Sequence, residues 1–343
     1  MSQSNIKPFD NCPAIDGYHC QTNSLAKIYH FYKHPLSEDM LLGLGAGMNF
    51  MYWQQKGVPP FIGARGNNKD FFQDIGKRTG VLVEEKTTTS EKKARQVLLE
   101  YMEKEEPLMV FGDMAYLPWF EFPEDYHFGG HTFVLCGYDG ADTLLASDMD
   151  PEVAGPKKGF YYPLTLEQVS KARGSPYNPF PPKNKYLTFN FEGFHDPTVE
   201  DINLSLKQST DAMLNPSISN FGIKGIRRTA KEITRWPDQF NDEELRLNLF
   251  NIYIYTEIGG TGGGSFRYMY SRFLDEAALI TQNPSLSEAA TQIFKSGKLF
   301  TELGLLFKDA IESREVIDRI PLAEQLYLQI ADIEEITFQS IDL

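Results

Sequence analysis

A cysteine at the start of a predicted helix is the residue of this sequence best suited to nucleophilic chemistry. Cys20 follows His19, and apolar residues recur at helical spacing through residues 21–33. The N-terminal end of a helix carries partial positive charge, which favours the thiolate form of a cysteine placed there. Cys20 is therefore a candidate nucleophile. The alternative is that it is a small buried apolar residue, the commoner role of a single cysteine.

A histidine and an aspartate on two later strands can complete this chemistry. The pattern predicts a strand that begins at His131, a turn containing Gly140, and a second strand that ends at Asp148. In an antiparallel hairpin the start of one strand lies beside the end of its partner, so these two side chains are expected to be neighbours. A carboxylate on one ring nitrogen orients the imidazole and leaves the other nitrogen to accept a thiol proton. The alternative is a turn aspartate and a structural histidine.

Four short motifs surround these three residues: Tyr18-His19-Cys20, Pro35-Leu36-Ser37-Glu38-Asp39-Met40, Gly43-Leu44-Gly45, and the segment from His131 to Asp139. The order of cysteine, histidine and acid resembles that of the papain-like cysteine enzymes, and the motifs resemble those of the butirosin biosynthesis protein H family. The resemblance implies an acyltransferase that takes an (amino)acyl group from the phosphopantetheine thioester of an acyl carrier protein and delivers it to a small-molecule amine. It further implies Cys20 as nucleophile, His131 as base and Asp148 as the orienting acid.

The donor for an oxyanion is not apparent in the sequence. The papain pattern has a glutamine shortly before its cysteine, and residues 14–16 contain none. The expected substitutes are the backbone N–H groups of Cys20 and Gln21, or the side chain of Asn23.

Two other functional interpretations of the same residues stay open. A cysteine peptidase or amidohydrolase of papain-like fold would use the same three side chains and let water accept the acyl group. A non-catalytic binding module would simply bury Cys20. Sequence alone does not separate these readings from the acyltransferase.

The chain is predicted to form two domains of different class. Its 343 residues, 41% of them hydrophobic, suffice for two cores. Residues 1–192 combine helices and strands, and the resemblance implies a papain-like catalytic domain of α+β class. From about residue 199 the period of the apolar residues becomes helical, so residues 193–343 are expected to form a predominantly α-helical domain.

Composition argues against several classes of partner. A formal charge of −14 disfavours nucleic acid. With three cysteines, six histidines and no CxxC pattern, no metal site is expected. No other bound cofactor is expected either. The absence of a long apolar stretch and of a signal-like N-terminus predicts a cytoplasmic protein without membrane contact. The long C-terminal helices leave pairing into a homodimer open.

A glycine-rich loop in the second domain is a candidate anion site. It precedes a predicted helix, whose first turn offers free backbone N–H groups. The guest we expect is the phosphate of phosphopantetheine, and the alternative is a flexible loop or tight backbone packing. The candidate residues are Gly262, Gly263, Gly264 and Ser265, with Arg267 supplying the charge that completes the site.

A basic stripe on one predicted helix is a candidate docking surface. Acyl carrier proteins are expected to be acidic, so a net-negative enzyme needs a locally positive face to bind one. The alternative is an ordinary solvated helix face. Five positions at helical spacing form the stripe, namely Lys224, Arg227, Arg228, Lys231 and Arg235.

Overall fold

The computed structural model describes residues 6–55, 57–65, 69–123, 126–151 and 156–342, which divide into two compact units. The first comprises residues 6–41 and 80–194, and the second comprises residues 42–79 and 195–342. The N-terminal region contains a sheet and the C-terminal region is helical, which confirms the predicted mixed class. None of the described helices combines the length and apolarity needed to cross a bilayer.

Strands of the described chain form one hairpin and one larger sheet. The hairpin is β1 (Met48–Gln55) with β2 (Val58–Arg65). The sheet has six antiparallel strands in the order β3-β8-β4-β5-β6-β7. Its strands are β3 (Leu82–Lys86), β4 (Leu108–Gly112), β5 (His131–Tyr138), β6 (Thr143–Met149), β7 (Gly159–Thr165) and β8 (Tyr186–Asn190).

Helices account for most of the remaining regular structure. Several begin at side-chain caps; for example, Thr165 and Gln168 form a capping box that starts α5. The helices are α1 (Cys20–Phe31), α2 (Glu38–Leu44), α3 (Phe71–Lys77), α4 (Glu91–Glu103), α5 (Leu166–Gly174), α6 (Val199–Leu214), α7 (Gly222–Ile233), α8 (Trp236–Gln239), α9 (Asp242–Tyr253), α10 (Arg267–Thr281), α11 (Pro284–Leu305) and α12 (Ile320–Ser340).

The core of the first unit lies on the central strands of its sheet. Helix α1 packs on β5 and buries Leu25, Ile28 and Tyr29 completely. Nearly every residue of β5 and β6 is buried, as expected when both faces of a strand pair are covered. A buried strand pair cannot shift its register without exposing its apolar side chains, so the positions of its polar residues are fixed.

The hairpin of β5 and β6 was predicted and is confirmed. The strands pair antiparallel, with Val134 opposite Ser147 and a register shift between Leu135 and Gly137. His131 is the first residue of β5, and Asp148 lies next to the end of β6. The two residues therefore meet at one end of the sheet.

The second unit contains a segment that was expected to belong to the N-terminal domain. Residues 42–79 were placed in a domain spanning 1–192, yet they group with residues 195–342. The cause is packing: Phe50 of β1 is fully buried and stacks on Phe300, with a ring separation of 6.1 Å. The backbone N–H of Tyr52 also donates to the carbonyl of Asn220 at 2.9 Å. The helices of this unit thus take a strand from the first half of the chain.

Candidate active site

Cys20 is the first residue of α1, and its side chain is half-buried. The side chains of Cys20 and His131 are hydrogen-bonded, and Thr132 donates to the same thiol from its backbone N–H and its hydroxyl. Packing of α1 on β5 brings these residues together, because His131 and Thr132 open the strand that the helix covers. The cysteine and histidine predicted from sequence are therefore in contact.

His131 is held on its other side by Asp148. Its Nε2 lies 2.6 Å from Asp148 Oδ2, and only 6% of the surface of His131 is exposed. The same carboxylate oxygen accepts the indole Nε1–H of Trp119 at 2.9 Å, while Oδ1 accepts the backbone N–H of Met149 at 2.8 Å. With Nε2 bound to the carboxylate, Nδ1 remains for the thiol. This arrangement fixes both the orientation and the tautomer of the imidazole.

Electrostatics at the site favour a thiolate and an imidazolium. Burial alone would raise the pKa of the Cys20 thiol, but the hydrogen bond and positive charge of His131, together with the bonds from Thr132, lower it below its usual value. Burial would lower the pKa of His131, yet the charge and hydrogen bond of Asp148 and the bond to Cys20 raise it to about 10. A thiol with a depressed pKa next to a protonated histidine is an activated nucleophile.

A buried carboxylate organises the chain that leads into Cys20. Glu38, on α2, accepts the backbone N–H groups of Tyr18 at 3.0 Å and His19 at 3.2 Å. It also accepts the hydroxyl of Thr22 at 2.7 Å and the side-chain amide of Asn23 at 3.1 Å. Burial raises the pKa of Glu38, and these four donors oppose that effect. The carboxylate therefore fixes the loop and the first turn of α1 around the nucleophile.

The position of the Glu38 carboxylate changes the roles expected of the N-terminal end of α1 and of Asn23. Because the charge of Glu38 lies against the N-terminal turn of α1, it opposes the positive end of the helix, and His131 and Thr132 are the groups that lower the pKa of Cys20. The side-chain nitrogen of Asn23 donates to both Glu38 Oε1 and the carbonyl of Ile15, each at 3.1 Å. With both amide N–H groups used, Asn23 does not fit the expected role of oxyanion donor.

Replacing Glu38 with glutamine should destabilise the protein. The amide group would turn an N–H toward donors that need an acceptor, so we expect Glu38→Gln to lower the free energy of unfolding by about 1–3 kcal/mol. Denaturant titration measures this quantity. The matched control is Glu103→Gln on the exposed end of α4, with an expected change within about 0.5 kcal/mol. Equal effects of the two substitutions would contradict the assignment.

The expected phosphate site in the second unit is not formed by its predicted residues. Arg267 is fully buried, and its guanidinium binds both carboxylate oxygens of Glu334, at 2.8 and 2.9 Å. The backbone N–H of Gly264 donates to Glu257 Oε1 at 3.0 Å. The glycine loop (Gly262, Gly263, Gly264 and Ser265) thus binds a carboxylate of the chain itself, whose charge would repel phosphate. The sequence pattern had indicated an anion site, and the anion is internal.

The basic stripe on α7 is smaller than predicted. Arg227 turns toward α12 and pairs with Asp332 and Glu335, each at 2.7 Å, so its charge is neutralised. The guanidinium of Arg228 donates to the side chain of Asn220. Arg235 lies beyond the end of α7 at Ile233, 3.5 Å from Glu232, so it is not part of the helix face. Three exposed positions of the stripe remain on α7: Lys224, Arg228 and Lys231.

Sequence reasoning missed Trp119, Thr132 and Glu38 as parts of the site. Thr132 follows His131 directly, so its proximity could have been inferred once the histidine was chosen. Glu38 was named in the sequence analysis only as one residue of the motif from Pro35 to Met40. Within the described residues, no group of three or more histidine, cysteine or acidic side chains is arranged to hold a metal ion.

Two family models match the chain. Residues 19–149 match the model described as "Butirosin biosynthesis protein H, N-terminal", a stretch that runs from the residue before Cys20 to the residue after Asp148. Residues 167–341 match a domain of unknown function (DUF4872). No curated protein matches the chain. The chain therefore belongs to the family defined by this domain of unknown function (DUF4872), and its N-terminal part is similar to the N-terminal domain of butirosin biosynthesis protein H.

Proposed function

We propose that this protein is a cysteine-dependent acyltransferase that moves an (amino)acyl group from an acyl-carrier-protein thioester to an amine. The observation that carries the proposal is the hydrogen bond between the half-buried Cys20 and His131, whose Nε2 is held 2.6 Å from Asp148. The order of these residues is that of a papain-like enzyme. The family name points to a biosynthetic reaction, which suits a transferase better than a digestive hydrolase.

In the first half-reaction the Cys20 thiolate attacks the carbonyl carbon of the incoming thioester. The carbonyl oxygen takes up the negative charge of a tetrahedral adduct. Collapse of the adduct breaks the carbon–sulfur bond of the carrier, and the departing sulfur takes the proton from His131. The products are the carrier thiol and an acyl thioester on Cys20.

In the second half-reaction the neutral imidazole accepts a proton from the amine as its nitrogen attacks the acyl carbon. The second tetrahedral adduct expels Cys20 as thiolate, which restores the ion pair with His131. Throughout, the carboxylate of Asp148 holds the imidazole ring, and the indole N–H of Trp119 donates to that carboxylate. The net result is an amide and a carrier thiol, with no proton gained or lost by the enzyme.

Product analysis separates the transferase from a hydrolase on the same residues. A small probe, an aminoacyl thioester of N-acetylcysteamine, is incubated with the protein in the presence and in the absence of a primary amine. Acylated amine as the main product, with an acylated Cys20 peptide before amine is added, is the expected result. Free acid as the only product in both incubations would favour a peptidase or amidohydrolase. Absence of any acyl-Cys20 would favour a non-catalytic module.

The carrier itself is proposed to dock on the exposed part of the α7 stripe. A protein with a net charge of −14 repels an acidic carrier unless a local positive surface attracts it. We expect Arg228→Glu with Lys231→Glu to lower kcat/KM for a carrier-bound substrate by about 10-fold. The N-acetylcysteamine thioester should react as before. The control reverses two exposed lysines of α4, Lys92 and Lys93; a similar loss there, or an equal loss on the small thioester, would reject docking on α7.

A further inference from the structure

Of the three groups expected to stabilise the oxyanion, the side chain of Asn23 is committed elsewhere. The backbone N–H groups of Tyr18 and His19 point to Glu38, at 3.0 and 3.2 Å, and the amide of Asn23 is also committed to that carboxylate. The papain pattern relies on a side-chain donor before its cysteine, and residues 14–16 offer no amide side chain. The backbone N–H groups of Cys20 and Gln21 in the first turn of α1 stay the expected donors, and a fixed cation beside them would add to the stabilisation.

The chain just before β7 lies directly against the loop that leads into Cys20. Gly17 and Lys157 exchange two backbone hydrogen bonds, at 2.8 Å for the Gly17 N–H and 2.6 Å for the Lys157 N–H. The N–H of Gly159 donates to Asp16 Oδ1 at 2.9 Å. A Cβ on Gly159 would come within 2.5 Å of the carbonyl oxygen of Ile15, so only glycine allows so close an approach. These contacts fix Lys157 beside the residue three positions before the nucleophile.

The side chain of Lys157 is a half-buried cation among the charges of the site. Burial lowers its pKa, and the negative charges of Cys20, Asp148 and Asp150 act in the opposite direction. Among the described residues, no side chain forms a hydrogen bond or ion pair with its ammonium group. A second cation, Lys27, lies two helical turns beyond Cys20 and is 1% exposed, with Cys12 and Cys136 among its neighbours, so it is too deep to meet a substrate.

We propose that Lys157 is a catalytic residue whose ammonium group, with the backbone N–H of Cys20, binds the oxyanion of the tetrahedral adduct. This inference rests on the acyl-transfer reaction proposed above. As the thiolate attacks, its negative charge moves to the carbonyl oxygen. The ammonium group of Lys157 then binds this charged oxygen without transferring a proton to it. A fixed cation in a water-poor site stabilises the adduct more than the neutral thioester, which lowers the barrier. Lysine thus performs the task that a glutamine amide performs in the papain pattern.

The test uses Lys157→Met and the small N-acetylcysteamine thioester, which carries no phosphate. We expect kcat to fall by about 10²- to 10³-fold with KM changed by no more than about twofold. Lys157→Arg, which keeps the charge, should recover at least about tenfold of that loss. The matched control is Lys158→Met, because Lys158 is the exposed neighbour and its loss should leave kcat unchanged. Equal thermal unfolding temperatures for the two methionine variants exclude a folding defect as the cause.

Alkylation of Cys20 by iodoacetamide supplies a second readout, since that reaction forms no oxyanion. We expect the alkylation rate of Lys157→Met, measured where the thiol is fully ionised, to stay within about threefold of the unmodified protein. A kcat like that of the Lys158→Met control would overturn the role of Lys157 while leaving the acyltransferase intact. A loss confined to carrier-bound substrate would instead make Lys157 a contact for the phosphopantetheine arm and overturn the oxyanion role. Failure of the unmodified protein to acylate Cys20 would overturn both proposals.

Discussion

Cys20→Ala abolishes acyl transfer: we expect kcat/KM to fall by at least about 10³-fold, because the side chain that forms the acyl intermediate is gone. The acylated species should also disappear from the intact-protein mass spectrum after incubation with the small thioester. His131 and Asp148 would remain paired at 2.6 Å, so the fold should survive the substitution. The measurement combines steady-state kinetics with mass analysis of the enzyme sampled before amine is added.

The control is the same substitution at another cysteine of the same unit. Cys136 lies on β5, the strand that begins with His131, and is completely buried. Cys136→Ala removes a sulfur from the same packing layer but no group of the site, so activity should persist within about threefold. Transfer that survives Cys20→Ala, or that is lost equally in both variants, would contradict the role assigned to Cys20.

The placement of the candidate catalytic side chains was predictable because it follows from short-range rules. A strand, a turn and a second strand of the lengths found here must bring His131 beside Asp148, although 17 positions separate them. The alternation that marks such a hairpin is visible within a short window of sequence. Placing Cys20 at the start of a helix required only the helical spacing of the apolar residues that follow it.

The contacts that support the site were not predictable, because they are tertiary. Nothing in the local sequence around Glu38 indicates that its carboxylate turns back to Tyr18 and Thr22. Trp119 reaches Asp148 from a segment without regular strand or helix, for which no periodicity exists to interpret. Contacts of this kind depend on how elements pack, and the sequence specifies packing only through the whole core.

The glycine-rich loop of the second unit shows how one sequence pattern can bind either an external or an internal anion. A glycine loop before a helix attracts an anion. In this structure the anion is the carboxylate of Glu257, which precedes the loop and accepts the Gly264 N–H at 3.0 Å. The local preference for an anion was predicted from the sequence, and the residue that supplies the anion was not.

His131→Ala should change the ionisation of Cys20 more than any other single substitution. With the histidine removed, burial becomes the dominant effect on the thiol and raises its pKa, whereas in the intact site the hydrogen bond and charge of His131 hold it below its usual value. Since each pKa unit changes the thiolate fraction tenfold below the pKa, we expect alkylation of Cys20 near neutral pH to slow by about 10²-fold. The pKa of His131, raised to about 10, sets the upper end of the range over which the ion pair persists.

The pH dependence of Cys20 alkylation therefore tests most directly whether sulfur, imidazole and carboxylate act as one unit. The rate of modification by iodoacetamide is followed from about pH 5 to about pH 10 in the unmodified protein and in His131→Ala, with peptide mass identifying the site and the buried Cys12 and Cys136 as internal references. We predict that the alkylation rate of the protein without substitution reaches its plateau at a pH below the ordinary pKa of a thiol. The rate of His131→Ala should reach its plateau above that value. Superimposable profiles with an ordinary thiol midpoint would contradict the ion pair and the catalytic site built on it.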